Sequence, residues 1–551
     1  MKKAFALLLA ILSYGQITTA QNDLSETERL AATAKIWGFL KYYHPAVAEG
    51  KFNWDEQLFA ILPQVKQASN KKDLSLIIEK WIDDLGPVPE CKKCKDEESG
   101  KTYFDKNFNL GWINDNRFFT EELSGKLNYI KLNRHQGTNY YVTANSRVGN
   151  ISLKNEHQYA DNDWGNEDIR VLSLFRYWNI IEYFYPYKYM TDMPWDEVLA
   201  KMIPIFQMAN TEIEFQLAIL ELIVHLDDSH GGYVSELTNN YFGFYWAPVK
   251  FTLKEGKAII TGYWNEAMAK SSDLRIGDAI TKVNNRPVEE IYREKEKYIP
   301  GSNEGAKRGM AHYAIFNGST DSVNIEFIRE NEIQLKTVKR HLFKNFKYEG
   351  IHNEKYKILE GNIGYINMGE IENDDVDEAM KSLKDTRGII FDIRNYPKGT
   401  LYSFANYLNS KKKPFFKVTY PDLNYPGKFI WRDGILCGKR GGEKYKNKVV
   451  LLVNEKTQSH AEFTAMCLQT GDHAITIGSQ TSGADGNVST IEMAGGSRTY
   501  MSGIGIFYPD NTETQRKGVK IDIEVQPSIE GLLNGRDEVL ERAVKIIKDR
   551  P

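Results

Sequence analysis

Ser459 lies where an apolar run, Val449–Val453, gives way to a helical segment carrying Ala461, Ala465 and Leu468. A hydroxyl at a helix N-terminus meets backbone N–H groups and the positive end of the helix dipole, an arrangement able to stabilise a developing oxyanion. Serine also caps helices there without doing any chemistry, so position alone does not separate a nucleophile from an N-cap. A serine nucleophile near neutral pH needs a base, and imidazole titrates in that range. His460 is a poor base, because the immediate neighbour of Ser459 points elsewhere on the helix; its backbone N–H is the better candidate, as one oxyanion donor. His230, within Asp227-Asp228-Ser229-His230-Gly231-Gly232, reads by itself as a turn residue.

The elements around Ser459 alternate. Strands Ile363–Met368, Gly388–Asp392, Val449–Val453 and Ala474–Ile477 are separated by helical stretches, including one near Leu401–Leu408. This βαβα order predicts a mostly parallel sheet with ligands beyond its strand ends. From about Asn240 the pattern is one of short strands: Pro248–Leu253 and Lys257–Tyr263 around Glu255-Gly256, then Ala279–Val283, then a hairpin of Val323–Ile328 and Ile333–Val338. The run from Leu274 to Val288 resembles a PDZ domain at the entry to its internal strand. Such domains add an extended peptide to a sheet edge, although Tyr241-Phe242-Gly243-Phe244 matches the usual carboxylate-binding loop only faintly.

Two segments near the front repeat at an offset of 141 residues. Ile36–Pro45 matches Tyr177–Pro186, Trp54-Asp55-Glu56 matches Trp195-Asp196-Glu197, and Pro63 matches Pro204. Each copy predicts an aromatic-rich helix stopped by proline, a loop, and a second helix opened by Trp-Asp-Glu. After a shift of three residues, Leu85 and Gly86 stand in the first copy where Ser229 and His230 stand in the second, so only the second copy can do histidine chemistry.

The 551-residue chain predicts several domains. Its net charge of −3 offers no basic footprint for nucleic acid. Lys2-Lys3, the apolar run Ala4–Leu12 and Thr18-Thr19-Ala20 have the layout of a secretory leader over 1–20, and the run is far short of the roughly 20 residues that span a bilayer. The expectation is an exported protein, periplasmic or extracellular, with no membrane span. Cys91 and Cys94 are spaced for a short-loop disulfide, for half of a metal site, or as free thiols. The expected division is a leader over 1–20, a first helical repeat over 21–161, a second over 162–238, a PDZ-like domain over 239–345 and an α/β catalytic domain over 346–551.

Several motifs, in this order, resemble the C-terminal-processing (tail-specific) serine proteases across residues 166 to 550: the PDZ-like insert, Asp392-Ile393-Arg394-Asn395, Val453–Glu462 and Gly478–Gly483. The resemblance implies a crotonase-like α/β catalytic domain with a PDZ domain beside the site. One branch of that family uses a Ser–Lys dyad with lysine directly after Thr-x-Gly; here that place is Ala484. The tricorn-like branch instead takes a histidine preceded by serine from the segment before the PDZ domain, and a glutamate near the end of the chain. By that resemblance Ser459 is the nucleophile and His230 the base, with Ser229 beside it. Glu513 is the fourth member, acting through Ser229, with Gln515 as its competitor. The second oxyanion donor falls to Gly399 or Lys398. The family's Gly-Gly is Lys398-Gly399 here, and the lysine side chain is expected to crowd the site or to favour acidic substrate groups. The function implied is a peptidase acting on peptides or unfolded tails, without metal or cofactor. The alternatives are an esterase using the same site, and a non-catalytic binder of peptides or hydrophobic ligands on the same fold.

Overall fold

The computed structural model describes residues 24–94, 100–159, 163–346, 354–494 and 496–549; the expected leader lies outside the described residues. The helices Glu26–Tyr43 and Glu167–Phe184 are apolar on nearly every side and correspondingly buried. Both stop at an X-Pro step, since proline pushes the preceding residue out of the helical region: His44 has ψ 123° and Tyr185 ψ 119°. The second helices, Trp54–Gln67 and Trp195–Gln207, follow. Each repeat closes on the same reciprocal bond. Trp37 and Trp54 donate their indole N–H to each other's carbonyl at 3.1 and 3.0 Å. Trp178 and Trp195 do so at 2.8 and 3.0 Å.

The units face each other, with Glu26–Tyr43 packed on Glu167–Phe184 and on Trp195–Gln207. Gly38 makes the close approach possible, because a Cβ there would lie 1.7 Å from Asn179 Oδ1. One hydrophobic core runs through both units. The boundary drawn at 161/162 therefore separates two repeats without separating two cores.

The middle segment forms an antiparallel sheet in the order Glu332–Lys339, Ser322–Arg329, Ala279–Val283, Lys257–Tyr263, Val249–Lys254. The last 200 residues build a six-stranded sheet ordered Tyr356–Leu359, Ile363–Asn367, Gly388–Asp392, Lys448–Val453, Ala474–Gly478, Ile523–Glu524, parallel after its first pair. Alternate residues of its strands face opposite layers. Ile389, Phe391, Val449 and Leu451 pack with the helices Val376–Leu383, Leu401–Leu408 and His460–Leu468. Ile390, Val450 and Leu452 pack with Val539, Ala543 and Ile547 of the final helix.

A further sheet was not legible in the sequence. Tyr103–Phe104 pairs with Phe429–Asp433, which pairs with Lys417–Pro421 and through it with Gly505–Phe507. It ties the first repeat's domain directly to the last.

Candidate active site

Ser459 is the N-cap of the helix His460–Leu468 and has φ 56°, ψ −122°, a backbone conformation that costs a non-glycine residue about 1–3 kcal/mol. Something must hold it there. Its N–H donates to the Ala484 carbonyl at 2.8 Å and reaches Glu462 Oε2 at 3.3 Å. The Glu462 carboxylate, fully buried, also accepts from the Gly483 and Ala484 N–H groups at 2.8 and 2.9 Å and from the Thr481 hydroxyl at 2.5 Å. Burial pushes the Glu462 carboxyl up, and these donors partly offset the shift. Beside it Asp485 is buried, with Oδ1 accepting from the Gly486 N–H at 2.6 Å and Oδ2 without a hydrogen-bond partner among the described residues. Burial and the nearby Glu462 carboxylate raise Asp485 well above the ordinary carboxylate range.

The Ser229–His230 loop follows the helix Glu212–Val224 and docks against the residue before the candidate nucleophile: Gln458 Nε2 donates to the Ser229 carbonyl at 3.1 Å. Gln458 in turn accepts from the Ser482 hydroxyl at 3.3 Å. His230 is nearly buried and oriented from one side. Its Nδ1 lies 2.9 Å from Ser502 Oγ and 3.5 Å from Asp228 Oδ1, while Nε2 is buried without a hydrogen-bond partner among the described residues. Asp228, fully buried, fastens the loop by accepting from the His230 N–H at 3.0 Å and the Ser502 N–H at 2.7 Å. Burial works to raise the Asp228 carboxyl, but His230 and the two N–H donors bring it below its ordinary value.

The Arg394–Gly399 turn reaches the site through Thr457, whose hydroxyl donates to the Ile393 carbonyl at 2.9 Å, and through Tyr396, whose ring lies 6.1 Å from that of His460. The N–H groups of His460, Lys398 and Gly399 make no hydrogen bond among the described residues. Gly399, at φ 80°, faces open space. The Lys398 side chain lies 3.2 Å from Glu372 and 3.5 Å from the Glu370 carbonyl, so it is engaged by its own domain.

Glu513 needs correcting. Its carboxylate is held by Lys106 at 2.9 Å and Lys517 at 3.1 Å, whereas the Ser229 hydroxyl meets the Ser302 N–H at 2.8 Å and the Ser482 carbonyl at 3.4 Å. Lys106 belongs to the first repeat's domain, and a local reading of Tyr508–Gln515 carries no trace of it. Gln515 does not replace Glu513; its amide donates to the Tyr185 hydroxyl at 3.3 Å. The groups that touch His230 are instead Asp228 and Ser502. Asp228 stands two residues before the histidine and was open to view. Ser502 lies 272 residues away on a hairpin strand, and nothing in the sequence marks it. Glu462 had a signal, the Ser-x-x-Glu spacing of a capping box.

The family model for Peptidase family S41 matches residues 362–525, which contain Ser459, Glu462 and the Arg394–Gly399 turn. The likeness to peptidase family S41 lies in this domain. It is 23% identical over 336 residues to a probable CtpA-like serine protease of Staphylococcus aureus (strain MRSA252), an alignment covering 58% of this chain and 62% of the relative's length. Mature CPAF complexed with lactacystin matches with a TM-score of 0.53 and 12% identity, over 69% of this chain and 98% of that one. Mature CPAF by itself matches with a TM-score of 0.53 and 13% identity, over 69% and 97%. At these identities the likeness is one of fold: the multidomain α/β architecture is S41-like.

Proposed function

We propose that this S41 chain is an exported serine peptidase that hydrolyses peptide bonds in peptides or unfolded tails. Ser459 is the nucleophile and His230 the base. The observation that carries this reading is the junction of the two loops: a serine held at a strained helix N-cap, with Gln458 before it bonded to the loop of a histidine whose Nε2 has no hydrogen-bond partner among the described residues and is left to receive a proton. In the mechanism His230 Nε2 takes the proton of Ser459 Oγ as the hydroxyl attacks the scissile carbonyl, then returns it to the leaving amine. Asp228 and Ser502 hold Nδ1, keep the tautomer, and Asp228 stabilises the imidazolium. The His460 N–H and one from Lys398 or Gly399 receive the oxyanion. In this reading the catalytic domain is crotonase-like and the antiparallel β-domain PDZ-like. The Cys91–Cys94 disulfide supports an oxidising compartment.

A fluorophosphonate probe followed by mass spectrometry of the labelled residue tests the assignment. Labelling at Ser459 is expected, and Ser459→Ala should abolish both labelling and peptide hydrolysis with the melting temperature nearly unchanged. Hydrolysis that survives Ser459→Ala would end the reading; cleavage of esters without peptides would make the chain an esterase.

A further inference from the structure

The two N-terminal repeats are related by more than sequence. Lys35 of the first pairs with Asp196 of the second at 2.9 Å, and Arg176 of the second pairs with Asp55 of the first at 2.8 Å. Arg176 and Asp196 stand 141 residues after Lys35 and Asp55, so the ion pairs are one contact made twice across a pseudo-twofold axis. Two equivalent grooves result. One runs between Glu167–Phe184 and Trp54–Gln67, the other between Glu26–Tyr43 and Trp195–Gln207.

The first groove is filled by the chain itself. Glu156 reaches in to meet Lys41 at 2.6 Å and Arg176 at 3.0 Å, and Arg176 also donates to the His157 carbonyl at 2.7 Å. Tyr159 donates its hydroxyl to Asp55 at 3.1 Å and sets its ring against Phe59. A short stretch of irregular polypeptide, anchored by one charged and one aromatic side chain, is what this groove accepts.

The second groove is open. It is a cleft of about 1060 Å³ whose lining includes Lys35, Asp196 and Ala200. Ala200 stands at the place of Phe59, which leaves free the volume that Phe59 takes in the other copy. Aromatic walls remain, from Trp112, Phe118 and Tyr189, and the Tyr189 hydroxyl is buried without a hydrogen-bond partner among the described residues. The charge is reversed relative to the filled groove, because Glu182 occupies the position of Lys41. Each basic residue of the lining already has an acid: Lys35 has Asp196, Lys188 has Glu182 at 2.7 Å, and Arg117 has Asp115 at 2.6 Å. The Glu28 carboxylate accepts from the Ser25 N–H and hydroxyl and feels Arg117 and Arg29 only at a distance, and among the described residues neither it nor Glu197 makes an ion pair. The cleft keeps a surplus of negative charge on an aromatic frame, suited to cations and to aromatic rings.

We propose that this cleft is a docking site for a short basic peptide segment, laid down as residues 156–159 are laid in the other groove and anchored by lysine or arginine with an aromatic side chain. The proposal rests on the peptidase reading only for the source of that peptide, a substrate segment held away from Ser459.

The test uses the full chain carrying Ser459→Ala, so that binding is read without hydrolysis. The probes are two fluorescein-labelled eight-residue peptides, one with two lysines around a tyrosine and one with glutamates in their place, followed by fluorescence anisotropy. The lysine peptide is expected to bind at least about ten-fold tighter than the glutamate peptide. Ala200→Phe, which restores the residue of the filled groove, should weaken it by about ten-fold or more, and the surface change Glu28→Lys with Glu197→Lys should do the same without touching the core. In the chain with Ser459 intact, Ala200→Phe should leave fluorophosphonate labelling unchanged. Equal binding of the two peptides, or binding indifferent to both the filling and the charge-reversing variants, would overturn the proposal. Preferential lysine-peptide binding in a chain that never labels at Ser459 would uphold it while removing the peptidase reading.

Discussion

His230 is held by groups that are expensive to remove. Asp228 is buried beside the imidazole, so Asp228→Asn removes the anion that, in the proposed mechanism, stabilises the imidazolium formed during catalysis. Hydrolysis by Asp228→Asn is expected to fall about 10²–10⁴-fold, and by His230→Ala on the order of 10³-fold or more, measured as kcat/KM on a peptide substrate. Full activity of Asp228→Asn would return the search for the orienting group to the end of the chain. Two buried carboxylates of the site, Asp228 on the His230 loop and Asp485 beside Glu462, carry pH signatures of opposite sign. Asp228 has a lowered pKa, so its contribution is present above the ordinary aspartate value near 4 and is lost as pH falls through the lower folded value. Asp485 has a raised pKa, so the folded state prefers the protonated acid, and stability drops as pH climbs from about 4 through the raised value. Asp485→Asn cannot ionise and should flatten the alkaline side of the stability profile, as followed by thermal melts between pH 5 and 9. An unchanged slope would mean that Asp485 titrates normally.

The helices of the N-terminal units show how one contact differs in worth when its surroundings differ. Lys35–Asp196 sits at the surface, its side chains 17% and 60% exposed, and a pair of that kind is worth about 0–1 kcal/mol. Arg176–Asp55 is its equivalent, but Arg176 is 1% exposed and shares a closed network with Glu156 and Lys41. Removing one member of such a network strands the others in a low dielectric. Arg176→Met is therefore expected to cost about 3–5 kcal/mol and Lys35→Met less than about 1 kcal/mol by urea denaturation. Similar losses at both positions would show that the network is as well solvated as the surface pair. The helix His460–Leu468 has its own dependence on burial. Glu462→Ala would leave the Gly483 and Ala484 N–H groups without their acceptor, at about 1–3 kcal/mol each, and would release the Ser459 backbone. Thermal stability and probe labelling should fall together.

At the scale of the whole molecule the first repeat is part of the frame. The hydrophobic core is continuous from Leu30 through Tyr183 to Phe507, and the strand Tyr103–Phe104 pairs with Phe429 and Ile430 of the last domain. The Tyr43 hydroxyl donates to the Pro426 carbonyl at 2.6 Å across the same seam. A fragment beginning near Asp163 keeps Ser459, His230 and Asp228 yet exposes one wall of this core. It is expected to aggregate or to lose near-ultraviolet dichroism, as tested by gel filtration and circular dichroism. A folded, monodisperse fragment with a labelled Ser459 would show that the seam is dispensable.

Local pattern decided much of this protein. The alternation of apolar strands and amphipathic helices after Ile363 fixes a parallel sheet, the X-Pro steps end the helices at Tyr43 and Phe184, and the matched tryptophans betray the duplication, because each of these rests on contacts within a few dozen residues. The strand-to-helix junction at Ser459 is visible in one window of sequence for the same reason, but it was the family resemblance, and not that position, that singled Ser459 out. What the fold alone decided involves partners hundreds of residues apart. Ser502 on His230, Lys106 on Glu513, and the small sheet joining Tyr103 to Phe507 leave no periodicity and no motif. The duplication was legible, but not that residues 156–159 close one of its two grooves and leave the other open. That depends on the depth of each groove and on Phe59 or Ala200 at its wall, and the difference acquires meaning only when the two helical units are brought face to face.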